Sequence, residues 1–187
     1  MFSGNRKLWL AFILALFISL GTFTASASSV TLNVSPQVIS AGESFTVDVF
    51  VEPDVAIAGM QFNLEFDETK VHVDGVTEGN LFTQSGMRTF FNNGLVEPGL
   101  LSNVYGTILG ASNVSTPAAF ATITMVVDEQ DRATSTLNLT NVIISDPNGH
   151  AVEVEVTNAI IEIKKDKEVF SETSSWDIIR AALASWI

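Results

Sequence analysis

The sequence predicts an all-β fold: two packed antiparallel sheets built from about nine short strands. Three observations carry this. Apolar and polar residues alternate over short runs, most plainly where Met60, Phe62, Leu64 and Phe66 interleave with Gln61, Asn63 and Glu65, the period of a strand with one buried face. Turn formers separate the runs at short, regular spacing. Between residues 28 and 163 no long helical periodicity alternates with the strands, which removes βαβ architectures.

In chain order, Val30, Leu32 and Val34 alternate with polar neighbours, and Pro36 ends this first strand because it has no N–H to give a ladder. Ala41-Gly42-Glu43 turns the chain into a second strand. There Phe45, Val47, Val49 and Val51 point one way, while Thr46, Asp48 and Phe50 point the other. Pro53-Asp54 closes it. The third strand is Met60 to Phe66, and Asp67-Glu68-Thr69-Lys70 breaks the pattern with turn formers. Val71, Val73 and Gly75-Val76 resume it as the fourth.

Gly79, Gly94 and Pro98-Gly99 punctuate the next region, where Met87 to Asn92 and Leu100 to Leu109 supply the fifth and sixth strands. After the loop Asn113 to Pro117, the seventh strand carries Phe120, Ile123, Met125 and Val127. Asp128 to Arg132 is a charged turn. Leu137, Leu139, Val142 and Ile144 mark the eighth strand, Asp146-Pro147-Asn148-Gly149 is a strong turn, and Val152, Val154 and Val156 begin the ninth.

The flanks read differently. Arg6-Lys7, the thirteen largely apolar residues Leu8 to Leu20 and the small-residue run Ala25-Ser26-Ala27 form a secretory signal peptide over residues 1–27, cleaved after Ala27. Thirteen residues fall short of the ~20 that cross a bilayer as a helix, so no stable membrane span is expected after cleavage. The product is expected outside the cell or at its surface. From Lys164 the composition changes: Lys164 to Glu168 is a charge run, and Ser171 to Ser175 is linker-like. Trp176, Ile179, Leu183 and Trp186 then fall at helical spacing behind a possible Ser175 cap. Residues 164–187 are read as a charged linker and a short amphipathic helix or disordered tail. Residues 28–163 are the domain.

The chain has 187 residues, 47% hydrophobic, a formal charge of −12 and no cysteine. Losing Arg6 and Lys7 leaves seven basic against twenty-one acidic residues, a charge of −14, which excludes a phosphate backbone as partner. Without disulfides, stability must come from the core. N-x-S/T sequons at Asn33, Asn113 and Asn138 are possible glycosylation sites.

Catalytic chemistry is thinly supplied. The histidines are His72 and His150, no Cys exists, and neither His has a companion at metal-binding spacing. Asp67-Glu68 and Asp128-Glu129-Asp131 occupy turns, where carboxylates cap and solvate. Asp146 with Asn148, or Asp128 with Asp131, offers the hard oxygen ligands that calcium takes, but no residue is assigned to a metal. No enzyme and no cofactor are expected. A sugar platform needs exposed planar aromatics; residues 28–163 hold no Trp and one Tyr, Tyr105, leaving Phe50, Phe90 and Phe91 as the rings to watch.

The segment Gly59 to Val76, of the form G-x-Q-F-x-L-x-F-D-x-x-x-V-x-V-x-x-V, resembles the third and fourth strands of cohesin modules, the receptor halves of cohesin and dockerin pairs. Val30 to Val51 is similar to a cohesin opening, Phe120 to Val127 to the seventh strand, and Leu139 to Gly149 with Asn158 to Ile163 to the closing pair. The resemblance spans roughly residues 30 to 163 and implies a nine-stranded jelly roll. It also implies a non-catalytic receptor for calcium-loaded dockerins of secreted proteins, with the calcium on the partner.

In cohesins the sheet of strands three, five, six and eight binds the dockerin. Carried onto this chain, the outward residues are Gln61, Asn63 and Glu65 on the third strand, Leu101, Asn103 and Tyr105 on the sixth, and Asn138 and Thr140 on the eighth. A glycan on Asn138 would obstruct that face. Gly59 and Gln61 stand where many cohesins carry Asn and Asp. Trp176-Asp177-Ile178 is similar to a dockerin lead-in, but Ile179-Arg180-Ala181-Ala182 follows in place of calcium ligands. Two other readings stay open: a carbohydrate-binding module with a polysaccharide partner, and a structural surface-layer or adhesin domain.

Overall fold

The computed structural model describes residues 27–165. The expected signal peptide, save its last residue, and the expected tail helix lie outside the described residues. The described chain is an all-β jelly-roll sandwich, and its helical element is one 3-10 turn, Thr83–Ser85.

The smaller sheet contains β1 (Ser28–Ser35), β3 (Ser44–Glu52), β5 (Val71–Glu78), β8 (Ala118–Val127) and β11 (Val154–Thr157), in the order β11-β1-β3-β8-β5. The larger contains β2 (Val38–Ser40), β4 (Gly59–Glu65), β6 (Thr89–Glu97), β7 (Leu100–Ile108), β9 (Ala133–Ser145) and β12 (Ala159–Lys164), in the order β2-β12-β9-β4-β7-β6. The short β10 (Ala151–Val152) hangs from β9. Eight of the expected strands correspond to β1, β3, β4, β5, β6, β7, β8 and β9.

The expected ninth strand is instead three pieces. β10 pairs with β9, β11 runs parallel to β1 in the other sheet, and β12 returns to pair with β9 and, in parallel, with β2. Among the described residues the strand count is therefore twelve, and two pairings are parallel. Val152, Val154 and Val156 alternate identically whichever sheet they join, so periodicity does not report the crossing. Asn158 marks the return: its side-chain oxygen accepts the Leu139 N–H at 2.9 Å, filling a ladder position of β9.

The inner faces meet in one core. Phe120 of β8 sits at its centre, edge-on to Phe62, Phe82 and Phe91 at 6.0, 5.6 and 5.6 Å between ring centroids, the geometry that aromatic quadrupoles favour. Phe45, Leu64, Leu101, Ile123, Met125 and Leu137 complete it with no more than a few per cent exposure, each burial stabilising by about 1.5–3 kcal/mol.

Two irregularities set which residues face outward on the larger sheet. Opposite Asn63, β7 carries two residues, Ser102 and Asn103; opposite Phe62, β9 carries Asn141 and Val142. Each is a β-bulge, and each contains an Asn in the left-handed region, Asn103 at φ 56° and Asn141 at φ 49°. Asn tolerates that conformation better than most residues. A bulge reverses the alternation of its strand beyond it.

Candidate functional site

β4 runs through the middle of the larger sheet, between β7 and β9. Its outward positions define rows across the face. Gly59 lies between Thr107 and Ser145, Gln61 between Tyr105 and Ile143, Asn63 between the β7 bulge and Thr140, and Glu65 between Leu100 and Asn138.

Seven of the eight expected binding residues share this face: Gln61, Asn63, Glu65, Asn103, Tyr105, Asn138 and Thr140, all half-buried or exposed. Leu101 does not. It is fully buried, pairs with Leu64 and points into the core. Counting by twos from Tyr105 through Asn103 puts Leu101 outside, but the extra residue at the bulge turns it inward.

Asn63 holds that bulge. Its side-chain oxygen accepts the Asn103 N–H at 2.9 Å, satisfying a donor that the irregular ladder leaves without a strand partner. Glu65 accepts the Thr140 hydroxyl at 3.4 Å across to β9.

The sequence reading missed the apolar part of the face. Ile143 is 43% exposed beside Gln61; its outward direction follows from the inward assignment of Val142 and Ile144 on either side. Phe90 and Phe91 point to opposite faces, as neighbours on a strand do, with Phe91 against Phe120 in the core and Phe90 outside. The Phe90 ring lies 5.8 Å from Tyr105 at an interplanar angle of 33°. Phe50 is on the smaller sheet, at a register shift of β3, and takes no part in this face.

Because Gly59 has no side chain, the face dips there into a notch of about 220 Å³ walled by Gln61, Tyr105, Thr107, Ile143 and Ser145. The Thr107 hydroxyl is turned away, donating to the Ala58 carbonyl at 2.9 Å. Beyond the notch, sharing Thr107 and Ser145, a groove of about 500 Å³ runs between the loop Gly110 to Asn113 and the turn Asp146 to Gly149. The strands β4, β6, β7 and β9 contain no Lys or Arg, and their two acids, Glu65 and Glu97, lie in one row through Leu100.

Asp146 closes the neighbouring turn. One carboxylate oxygen accepts the N–H groups of Asn148 and His150, each at 2.8 Å, and these bonds, led by that from His150, hold its pKa down at about 2. That oxygen is committed to the turn. His72 meets Asp128 at 2.7 Å on the exposed edge of the smaller sheet. Among the described residues no three His, Cys, Asp or Glu side chains gather as metal ligands. The sequons Asn33 and Asn113 are exposed, whereas Asn138 is half-buried on the face itself.

A family model described as the cohesin domain matches residues 30–163. Among curated proteins none matches the chain. Among solved structures it is similar to a non-cellulosomal cohesin from the archaeon Archaeoglobus fulgidus, at 18% identity and TM-score 0.57, covering 81% of this chain and 98% of that one. It is also similar to a cohesin module of a family 33 glycoside hydrolase from Clostridium perfringens, at 16% identity and TM-score 0.62, covering 76% and 100%. A third likeness, to a type I cohesin–dockerin complex from Clostridium thermocellum, has 15% identity and TM-score 0.59 and covers 76% and 99%. At these identities the neighbours share a fold; the match of the family model over most of the chain goes further, and the chain belongs to the cohesin domain family.

Proposed function

We propose that this protein is a secreted, non-catalytic receptor that binds calcium-loaded dockerin modules through the outer face of β6, β7, β4 and β9. Family membership supports the class of partner, and one of the structural neighbours is itself a cohesin–dockerin complex. The observation that carries the choice of surface is the exposed apolar cluster of Phe90, Tyr105 and Ile143 beside the polar outward side chains of β4. Apolar anchors ringed by polar groups are the anatomy of a protein interface. The N-terminal segment supports export, and the calcium belongs to the partner, whose loops fold on it.

The test is a calorimetric titration of the full chain with recombinant dockerin modules, in calcium and in chelator. Binding is expected in calcium alone, and Tyr105→Ala and Ile143→Asp should each weaken it about tenfold or more. Loss of neither affinity nor calcium dependence in those variants overturns the assignment of the face. The Phe90 and Tyr105 rings favour a second reading, a polysaccharide ligand lying over them. Retention on an insoluble glucan, abolished by Tyr105→Ala, with no dockerin bound, would establish it.

A further inference from the structure

The face dips at Gly59 into a notch whose size constrains what binds there. At about 220 Å³ it is smaller than the ~300–1,000 Å³ of small-ligand sites, a size that suits one large side chain. Its apolar walls are the exposed Tyr105 ring and Ile143 and its polar ones Gln61 and Ser145, while Thr107 presents no free hydroxyl proton. A large apolar group seated there packs against the Tyr105 ring and Ile143, and a single well-packed anchor can dominate an interface.

Charge identifies the rest of the occupant. Glu65 and Glu97 mark the opposite end of the face, and no cation on the four strands offsets them. Gly59 and Glu65 are six residues apart on β4, about 20 Å at ~3.4 Å per residue. A helix spans that distance in about 13 residues. Resting on the receptor reading above, we infer that Gly59 is the specificity determinant of this face. It admits one large apolar side chain from a dockerin helix laid along β4, whose Lys or Arg about 14 residues away, four turns on and on the same helix face, meets Glu65 and Glu97.

A side chain at position 59 would intrude on the notch: its Cβ would stand 2.7 Å from the Ser145 hydroxyl oxygen. The experiment pairs Gly59→Val, alone and with Ser145→Ala to relieve that contact, against calcium-loaded dockerin modules carrying Leu, Phe or Ala at the helix position nearest the notch. Thermal melts confirm that each variant folds. With the natural chain, Leu or Phe to Ala should weaken binding about tenfold or more; with Gly59→Val the same change should matter less than about twofold, because the two sites are coupled. The reciprocal dockerin change keeps the inference testable if Gly59→Val does not fold, since indifference of the natural chain to Leu, Phe or Ala overturns it by itself. Equal losses in both backgrounds also overturn it while leaving the receptor reading intact. Failure of the natural chain to bind any module overturns that reading, and the inference with it.

Discussion

Asn63 faces the proposed partner and also holds its own sheet together, since its oxygen takes the Asn103 N–H at the β7 bulge. Asn63→Ala should cost about 0.5–1.5 kcal/mol by removing that hydrogen bond from the bulge, whereas Asn63→Asp keeps an acceptor and should cost less; urea unfolding of the two variants checks it. Leu101, expected outside and found inside, gives a sharper contrast. Leu101→Ala should lose about 2–5 kcal/mol in the same assay, a cost that an exposed leucine would not show. Asp146 sets a pH dependence confined to its turn. Its pKa is lowered from 3.8 to about 2, so its contribution is full above the ordinary carboxylate value and fades as pH falls through about 2. A carboxylate titration followed by NMR should show that low midpoint, and a midpoint near 4 would contradict the hydrogen bonds drawn here.

At the scale of elements, the strands that keep one phase from end to end were legible. The third strand, with Met60, Phe62 and Leu64 inside, reads directly off its alternation. Where a strand changes phase or changes sheet, alternation misleads. Asn103 and Asn141 look like ordinary polar positions in the sequence, and only their left-handed backbone reveals the two bulges, of which the one at Asn103 turns Leu101 inward. The split of the ninth strand is hidden for a related reason, because both sheets bury the same Val pattern and the choice between them depends on distant partners. Gly94 shows how tightly the edge of the face is specified. It sits at φ 80°, and a Cβ there would meet the Ser102 carbonyl oxygen at 2.6 Å and Val104 at 2.8 Å. Gly94→Ala should therefore lower stability by more than about 1 kcal/mol, read as a fall in the thermal midpoint.

Over the whole molecule, the family resemblance located the function class better than it located the site. A formal charge of −12 and the thin supply of catalytic side chains spoke against nucleic-acid and catalytic roles, while the motifs from Gly59 to Val76 carried the family, and the sandwich supplies a sheet face on which a partner can dock. Polar face residues on β4 could be named from alternation; the anchors Ile143 and Phe90 and the notch over Gly59 emerge only when four strands distant in sequence are laid side by side. Asn138 adds a check at this scale, since a glycan at the Glu65 end of the face would obstruct a docking helix; mass spectrometry of the protein from its native source should find that site unmodified. The most direct test of the central claim is amide hydrogen exchange of the full chain with and without a calcium-loaded dockerin module. The account predicts new protection in β4, β7 and the Thr140 to Ser145 end of β9, with the smaller sheet unchanged. Protection confined to β1, β3, β8 or β5 would contradict it.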